Sequence, residues 1–169
     1  MKLPRIRAGA IAALVVALSS PAAVHARTAP LHQAPAFSLP GRGGGVIASD
    51  SLRGKVVYVD FWASWCGPCR RSFPWLAELQ RKYGDRGFQV VAVNLDKTRD
   101  AADAFLAKLP APFAVAFDPD GRTAEAFHVS AMPSSFLVGR DGAVIESHTG
   151  FDPKRAAIIE KRVAEACAP

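Results

Sequence analysis

The chain has 169 residues, 50% of them hydrophobic, a formal net charge of +6 at neutral pH and 3 cysteines. That is enough for one domain with its own apolar core, and too few cysteines for a fold stapled by several disulfides. Half of the surplus charge lies in Lys2, Arg5 and Arg7, so without residues 1–26 it falls from +6 to +3; no dense basic block or aromatic-basic interleaving is left to suggest nucleic acid.

Those three cations precede an uncharged apolar stretch, Gly9 to Leu18, broken by Ser19, Ser20 and Pro21 and followed by the small-residue site Val24-His25-Ala26. This is the layout of a secretory signal peptide, residues 1–26, cleaved on export. The apolar stretch is shorter than the ~20 residues of a membrane-spanning helix. The alternative is an uncleaved segment that anchors the chain in the inner membrane. Either way the chain is expected outside the cytoplasm, in an oxidising compartment.

Residues 27–35 read as a polar, flexible lead-in, and residues 36–169 as the folded domain. Ala36 to Leu39 predicts a short first strand, Gly41 to Gly45 a turn, and Val46-Ile47 the start of a second strand. The glycine cluster is no phosphate cradle, since no helix of the required spacing follows. Val56 to Phe61 is a β-branched and aromatic run that predicts a strand buried on both faces. Arg70 to Tyr83 has Phe73, Leu76, Leu79 and Tyr83 at helical spacing, with Pro74 expected to kink the helix and Gly84 to stop it. Phe88 to Asn94 is a second buried strand, and strand–helix–strand implies a right-handed crossover and a parallel pair.

Thr98 is placed to cap a helix carrying Ala102, Phe105, Leu106 and Leu109, ended by Pro110. Phe113 to Phe117 reads as a third central strand, Asp118 to Gly121 as a turn, and Thr123 to Phe127 as a short helix. Ser135 to Val138 and Ala143 to Glu146 flank the hairpin signal Asp141-Gly142. Asp152-Pro153 opens a closing helix with Ile159, Val163 and Ala166 on one stripe. The fold class is α/β, a mixed sheet with helices on both faces, without internal repeats.

Cys66 and Cys69 stand in FWASWCGPC, where the buried run ends and the helix begins. A structural zinc site needs four ligands, and only Cys167 and scattered His32, His128 and His148 remain. Pro68 also fixes the backbone where a metal knuckle would wrap. A purely structural disulfide is within reach, but closing so small a loop stabilises little. Electron transfer fits better. Unpaired N–H groups and the helix dipole at a helix start stabilise a thiolate, and a thiol so placed can ionise near ~7 instead of ~8.5. Cys66, nearer the helix tip, is expected to attack a substrate disulfide, and Cys69 to resolve the mixed disulfide. Asp60 interrupts the apolar run; burial should raise its pKa and suit it to take the proton of Cys69. A solvent-facing Asp at a strand end is the plainer alternative.

FWASWCGPC, with Asp60 before it and Pro74 after it, closely resembles the active-site segment of the thioredoxin-like family. The resemblance implies a three-layer sandwich and a redox-active Cys66–Cys69 disulfide in place of a cofactor. It makes Cys66 the nucleophile, Cys69 the resolving thiol, Asp60 the buried proton carrier and Trp65 the flat neighbour of the dithiol. Met132-Pro133 matches the family's cis-proline, so Trp65, Gly67, Pro68 and Met132 would line the substrate groove, with Pro133 against the dithiol. The extra strand–helix unit near residues 99–117, the N-terminal strand pair and the export signal are similar to the TlpA/ResA-like periplasmic reductases, over nearly all of residues 36–166. One departure concerns a lysine that faces the buried acid in thioredoxin: aligned on Asn94-Leu95-Asp96, Ala92 stands there.

The Gly67-Pro68 dipeptide resembles reducing members of the family and not the strongly oxidising ones; potentials across the family run from about −270 to −120 mV, and the low end is expected here. The resemblance further implies a monomer that reduces client protein disulfides, with apocytochrome c and metal-site assembly proteins among the candidates. A membrane thiol carrier of the DsbD/CcdA type would supply the electrons. Two other readings remain: a thiol peroxidase on the same scaffold, weakened by Ser64-Trp65 where such enzymes place a Thr, and a non-catalytic binding module using the Met132-Pro133 groove. His128 and His148 are expected at the surface, Phe61 and Trp62 in the core, and Trp75 in either core or groove. Cys167 is expected as a small buried hydrophobe or a frayed-end thiol, with an intermolecular disulfide as the alternative.

Overall fold

Seven consecutive residues, Val56–Trp62, form strand β3, and every one is buried. A strand alternates its side chains, so this one must be covered on both faces. The computed structural model describes residues 32–169 and supplies both covers; the expected signal peptide and the first part of the lead-in lie outside the described residues.

The remaining elements, in chain order, are β1 (Ser38–Pro40), β2 (Val46–Ala48), then after β3 helix α1 (Gly67–Tyr83), β4 (Phe88–Asn94), α2 (Arg99–Lys108), β5 (Ala114–Phe117), α3 (Arg122–Ala126), β6 (Ser134–Val138), β7 (Val144–Thr149) and α4 (Pro153–Ala166). The central sheet runs β5-β4-β3-β6-β7, and β1-β2 make a separate pair. Strands β3, β4 and β5 are parallel, while β6 and β7 run antiparallel to their neighbours. The crossover through α1 returns the chain beside β3, as the sequence pattern requires.

On one face Val56, Tyr58 and Trp62 pack with Phe73, Leu76 and Leu79 of α1, Phe105 and Leu106 of α2, and Ile159 and Val163 of α4. On the other, Val57, Val59 and Phe61 pack with Phe37 and Leu39 from the N-terminal segment, Ala124 and Phe127 around α3, and Phe136 of β6. Each such large side chain contributes about 1.5–3 kcal/mol by leaving water.

Several expected details differ. The first strand begins at Ser38, two residues beyond Ala36. Helix α1 starts at Gly67, so both residues between the cysteines belong to its first turn. Gly84 does not leave the helix in a left-handed turn: it stays right-handed and opens a short 3-10 turn, and Gly87 takes the positive φ of 78°. Thr98 occupies the N-cap of α2 without a side-chain cap bond. The strand expected to be central, β5, lies at the sheet edge. It reads as fully apolar because both its faces are covered, Val115 and Phe117 in one core and Ala114 and Ala116 in the other; its open edge is paired by the N-terminal segment, with Gly41 bridged to Ala116 and Arg42 N–H donating to the Val115 carbonyl at 2.9 Å.

The same N-terminal segment touches the opposite edge of the sheet. Gln33 is bridged to Ala143, Val144 N–H donates to the His32 carbonyl at 2.8 Å, and Ala34 N–H to the Gly142 carbonyl at 3.0 Å. With Phe37 and Leu39 buried between these two anchor points, residues 32–42 form a strap across the α3 side of the sheet.

Candidate active site

The C-terminal end of β3 delivers the chain into Ala63-Ser64-Trp65, and Cys66 is the N-cap of α1 in extended conformation. Its Sγ accepts a hydrogen bond from the Cys69 backbone N–H at 3.2 Å. A sulfur in that position meets one of the unpaired amides and the positive end of the helix dipole. Cys66 and Cys69 are joined as a disulfide, their Cα atoms 5.3 Å apart. Cys66 is 4% exposed and Cys69 0%. Trp65 beside them is 71% exposed, and Gly67 is exposed too.

The loop before Cys66 is pinned from β4. Asp96, buried just past that strand, accepts from Ser64 N–H and Ser64 Oγ, both at 2.9 Å, and from Asn94 Nδ2 at 2.8 Å. Arg70 closes the loop from the helix side, donating to the Ser64 carbonyl at 3.0 Å while its guanidinium lies over Phe105. The Met132–Pro133 peptide bond is cis. Pro133 is buried, Met132 is half-buried against the core cluster that contains both cysteines, and β6 starts with the next residue.

Asp60 lies on the α1 side of β3, between Tyr58 and Trp62 in the strand alternation, and is 1% exposed. Its neighbours in register are Ala92 on β4 and Ser135 on β6. The Ser135 hydroxyl donates to Asp60 Oδ1 at 2.6 Å, and Oδ2 has no hydrogen-bond partner. Burial without a cation lifts the Asp60 pKa from 3.8 to about 7, with the Ser135 bond opposing part of the rise. A carboxyl so placed changes protonation near neutrality and has one oxygen open to a proton.

His148 is not a plain surface residue. It is half-buried, stands in register with Ser135, and its Nε2 is hydrogen-bonded to the Tyr58 hydroxyl at 2.8 Å. Burial and the nearby Arg155 charge lower its pKa to about 4, so it is neutral at pH 7. The Tyr58 pKa is raised by burial and then by Asp60. Trp75, half-buried, packs edge-on to Tyr58 and against Phe151 at the rim of this cluster. His128 is exposed, and Cys167 is a buried free thiol at the end of α4. Burial raises the Cys167 pKa.

Ser64, Asp96, Tyr58 and Ser135 were not singled out by sequence patterns, because their partners are 32 to 90 residues away. Only Tyr58 carried a hint: a polar tip two positions from Asp60 on the same strand face. Among the described residues no group of three or more His, Cys, Asp or Glu is placed to hold a metal. No helix among them is long and apolar enough to cross a membrane.

Residues 31–166 match the Redoxin family. The chain is 34% identical over 117 residues to the thiol-disulfide oxidoreductase ResA of Bacillus subtilis, covering 69% of this chain and 65% of that protein. It is 34% identical over 122 residues to the ResA of Bacillus cereus, covering 72% and 70%. A Chlorobium tepidum structure described as a thiol:disulfide interchange protein DsbE superposes with a TM-score of 0.79 at 50% identity, over 81% of this chain and 96% of that one.

Proposed function

The chain belongs to the Redoxin family and, within it, to the ResA-type thiol-disulfide oxidoreductases, and from that premise we propose that it is an exported reductase of protein disulfides. What carries the reading is the Cys66 sulfur, seated as the N-cap of α1 and accepting the Cys69 N–H. Once reduced, that sulfur is held as a thiolate by the same amide and the helix dipole.

The thiolate of Cys66 attacks one sulfur of a client disulfide and displaces the other as a thiolate, which takes a proton from water. Cys69 loses its proton to the Asp60 carboxylate and attacks Cys66 Sγ. The client's second thiolate leaves, and Cys66–Cys69 is oxidised as the client is reduced. The exposed Trp65 and Gly67, with the half-buried Pro68 and Met132, form the surface on which the client strand is held, and the buried Pro133 supports it from below. Electrons return through a membrane thiol carrier of the DsbD/CcdA type, and the protein acts as a periplasmic monomer released from its signal peptide. Client candidates are disulfides of apocytochrome c or of metal-site assembly proteins, which leave the reaction as thiols.

The test is a potential and a trap. The reading expects a reduction potential near the low end of the family range, about −270 mV, and insulin reduction in the presence of dithiothreitol; a value above about −180 mV overturns the reductase assignment. Cys69→Ser should hold the client on Cys66 as a mixed disulfide that mass spectrometry identifies.

A further inference from the structure

Asp60 faces a difficulty that its partners on β6 and β7 resolve. It is buried, no cation stands beside it, and Ala92 fills the register position on β4. A proton taken from Cys69 must still reach water before the next cycle. On the side away from β4 the structure places polar groups in an unbroken row: Asp60 on β3, Ser135 beside it on β6, and His148 beside Ser135 on β7.

Two hydrogen bonds mark its ends: Ser135 Oγ is 2.6 Å from Asp60 Oδ1, and Tyr58 Oη is 2.8 Å from His148 Nε2. Ser135 stands between them, in register with both Asp60 and His148 and diagonal to Tyr58 across the β3–β6 pair. Tyr58 is 0% exposed, whereas His148 is only half-buried. The row therefore begins in the dry interior and ends at the surface.

We propose that Ser135, Tyr58 and His148 form a proton path between the Asp60 carboxyl and solvent, so that the resolving step discharges its proton through β6 and β7. This rests on Asp60 being the acceptor for Cys69. The carboxyl receives the Cys69 proton and, after rotation, passes it to Ser135 Oγ. The Ser135 proton passes to Tyr58 Oη, and the Tyr58 proton to His148 Nε2. His148 returns a proton to water from Nδ1. One proton enters and one leaves, and no electron moves along the path. Neutral His148 can accept at Nε2, which is the state that burial and Arg155 favour at pH 7. The other titratable groups facing this row are Glu146 of β7 beside Tyr58, Arg155 of α4 beside His148, and the cysteine pair of α1; β4 offers only Ala92. Ser135, Tyr58 and His148 are positioning residues that act through Asp60.

The experiment follows the reduced protein reacting with an aromatic disulfide whose released thiol is coloured. The first release reports attack by Cys66 and the second reports resolution by Cys69. Tyr58→Phe, Ser135→Ala and His148→Gln should each slow the second release about tenfold at pH 7 and leave the first unchanged. Asp60→Asn should slow it about 100-fold, the lower range for loss of a general base. Added imidazole should restore the second release in His148→Gly and not in Asp60→Asn. Thermal unfolding of each variant separates slow chemistry from poor folding. If Asp60→Asn is slow while Tyr58→Phe and His148→Gln, both folded, resolve at the parent rate, the path is overturned and the Asp60 reading stands. If Asp60→Asn also resolves at the parent rate, the Asp60 reading falls and the path with it.

Discussion

The two faces of β3 carry different kinds of residue from one seven-residue strand. Toward α3 and the N-terminal strap it presents Val57, Val59 and Phe61, which meet Phe127, Phe136 and Leu39 in a mainly apolar layer, where the buried Ser134 hydroxyl is hydrogen-bonded to the Ala131 carbonyl. Toward α1 it presents Tyr58, Asp60 and Trp62, and the two buried side-chain atoms without hydrogen-bond partners among the described residues, Asp60 Oδ2 and Trp62 Nε1, are both there. A buried polar atom left unpaired costs about 1–3 kcal/mol. The strand concentrates that cost on the face beneath the dithiol and keeps the other free of it. Both faces pack against core, and on the proposed function only the α1 face also serves the chemistry, so the neighbours Asp60 and Phe61 should respond to substitution in opposite ways.

The sharpest break of this contrast is at the sulfur. Cys66→Ser should abolish insulin reduction, with residual turnover below a thousandth of the parent, while far-ultraviolet circular dichroism stays the same. On the apolar face, Phe61→Ala removes a ring packed against Phe127 and Phe136 at 5.3 and 6.0 Å. It should lower unfolding free energy by about 3–5 kcal/mol in urea, yet leave the dithiol potential of the folded protein where it was. A large shift in that potential would show that the two faces are not separable.

The adjacent residue should do the reverse. In the disulfide form Asp60 titrates at about 7 instead of 3.8. The folded state therefore holds a proton that the unfolded state releases. The resulting stability is complete below pH 4, declines as pH rises toward 7, and is absent above it. At 1.36 kcal/mol per tenfold change in proton affinity, the total is roughly 4 kcal/mol. Asp60→Asn should match the parent near pH 4 and exceed its stability by up to that amount at pH 8, with a slower resolving step. Denaturant titrations at the two pH values decide; equal stability at pH 8 would mean that the carboxyl is solvated after all.

The smallest effect lies at the far end of the α1 side. Cys167→Ser exchanges a buried thiol for a hydroxyl and should cost about 1 kcal/mol or less, with no change in disulfide reduction. A dimer band on non-reducing gels that disappears in this variant would instead give Cys167 an intermolecular role.

Much of the α1 side is legible in the sequence, because its determinants are local. The run into Cys66, the helix behind it and the turn before β6 are short-range patterns, and the acid at position 60 stands out against six apolar neighbours. The polar row is less legible. Ser135 reads as an ordinary strand residue and His148 as a surface histidine, because nothing near either one names its partner. Their contact with Asp60 and Tyr58 exists only once β6 and β7 stack in register against β3, joining residues 75 and 90 positions apart. The position of β5 is misread for a related reason: an apolar run signals cover on both faces but does not say how many strands lie beyond it.

The strap over residues 32–42 has a practical consequence. It supplies backbone partners to β5 at one margin of the sheet and to the start of β7 at the other, the places where a foreign strand would dock. A shortened chain beginning near residue 43 would keep every active-site residue and lose both guards. Such a chain should work when fresh and then grow into thioflavin-binding aggregates on storage, a liability to remember when trimming the protein for crystallisation.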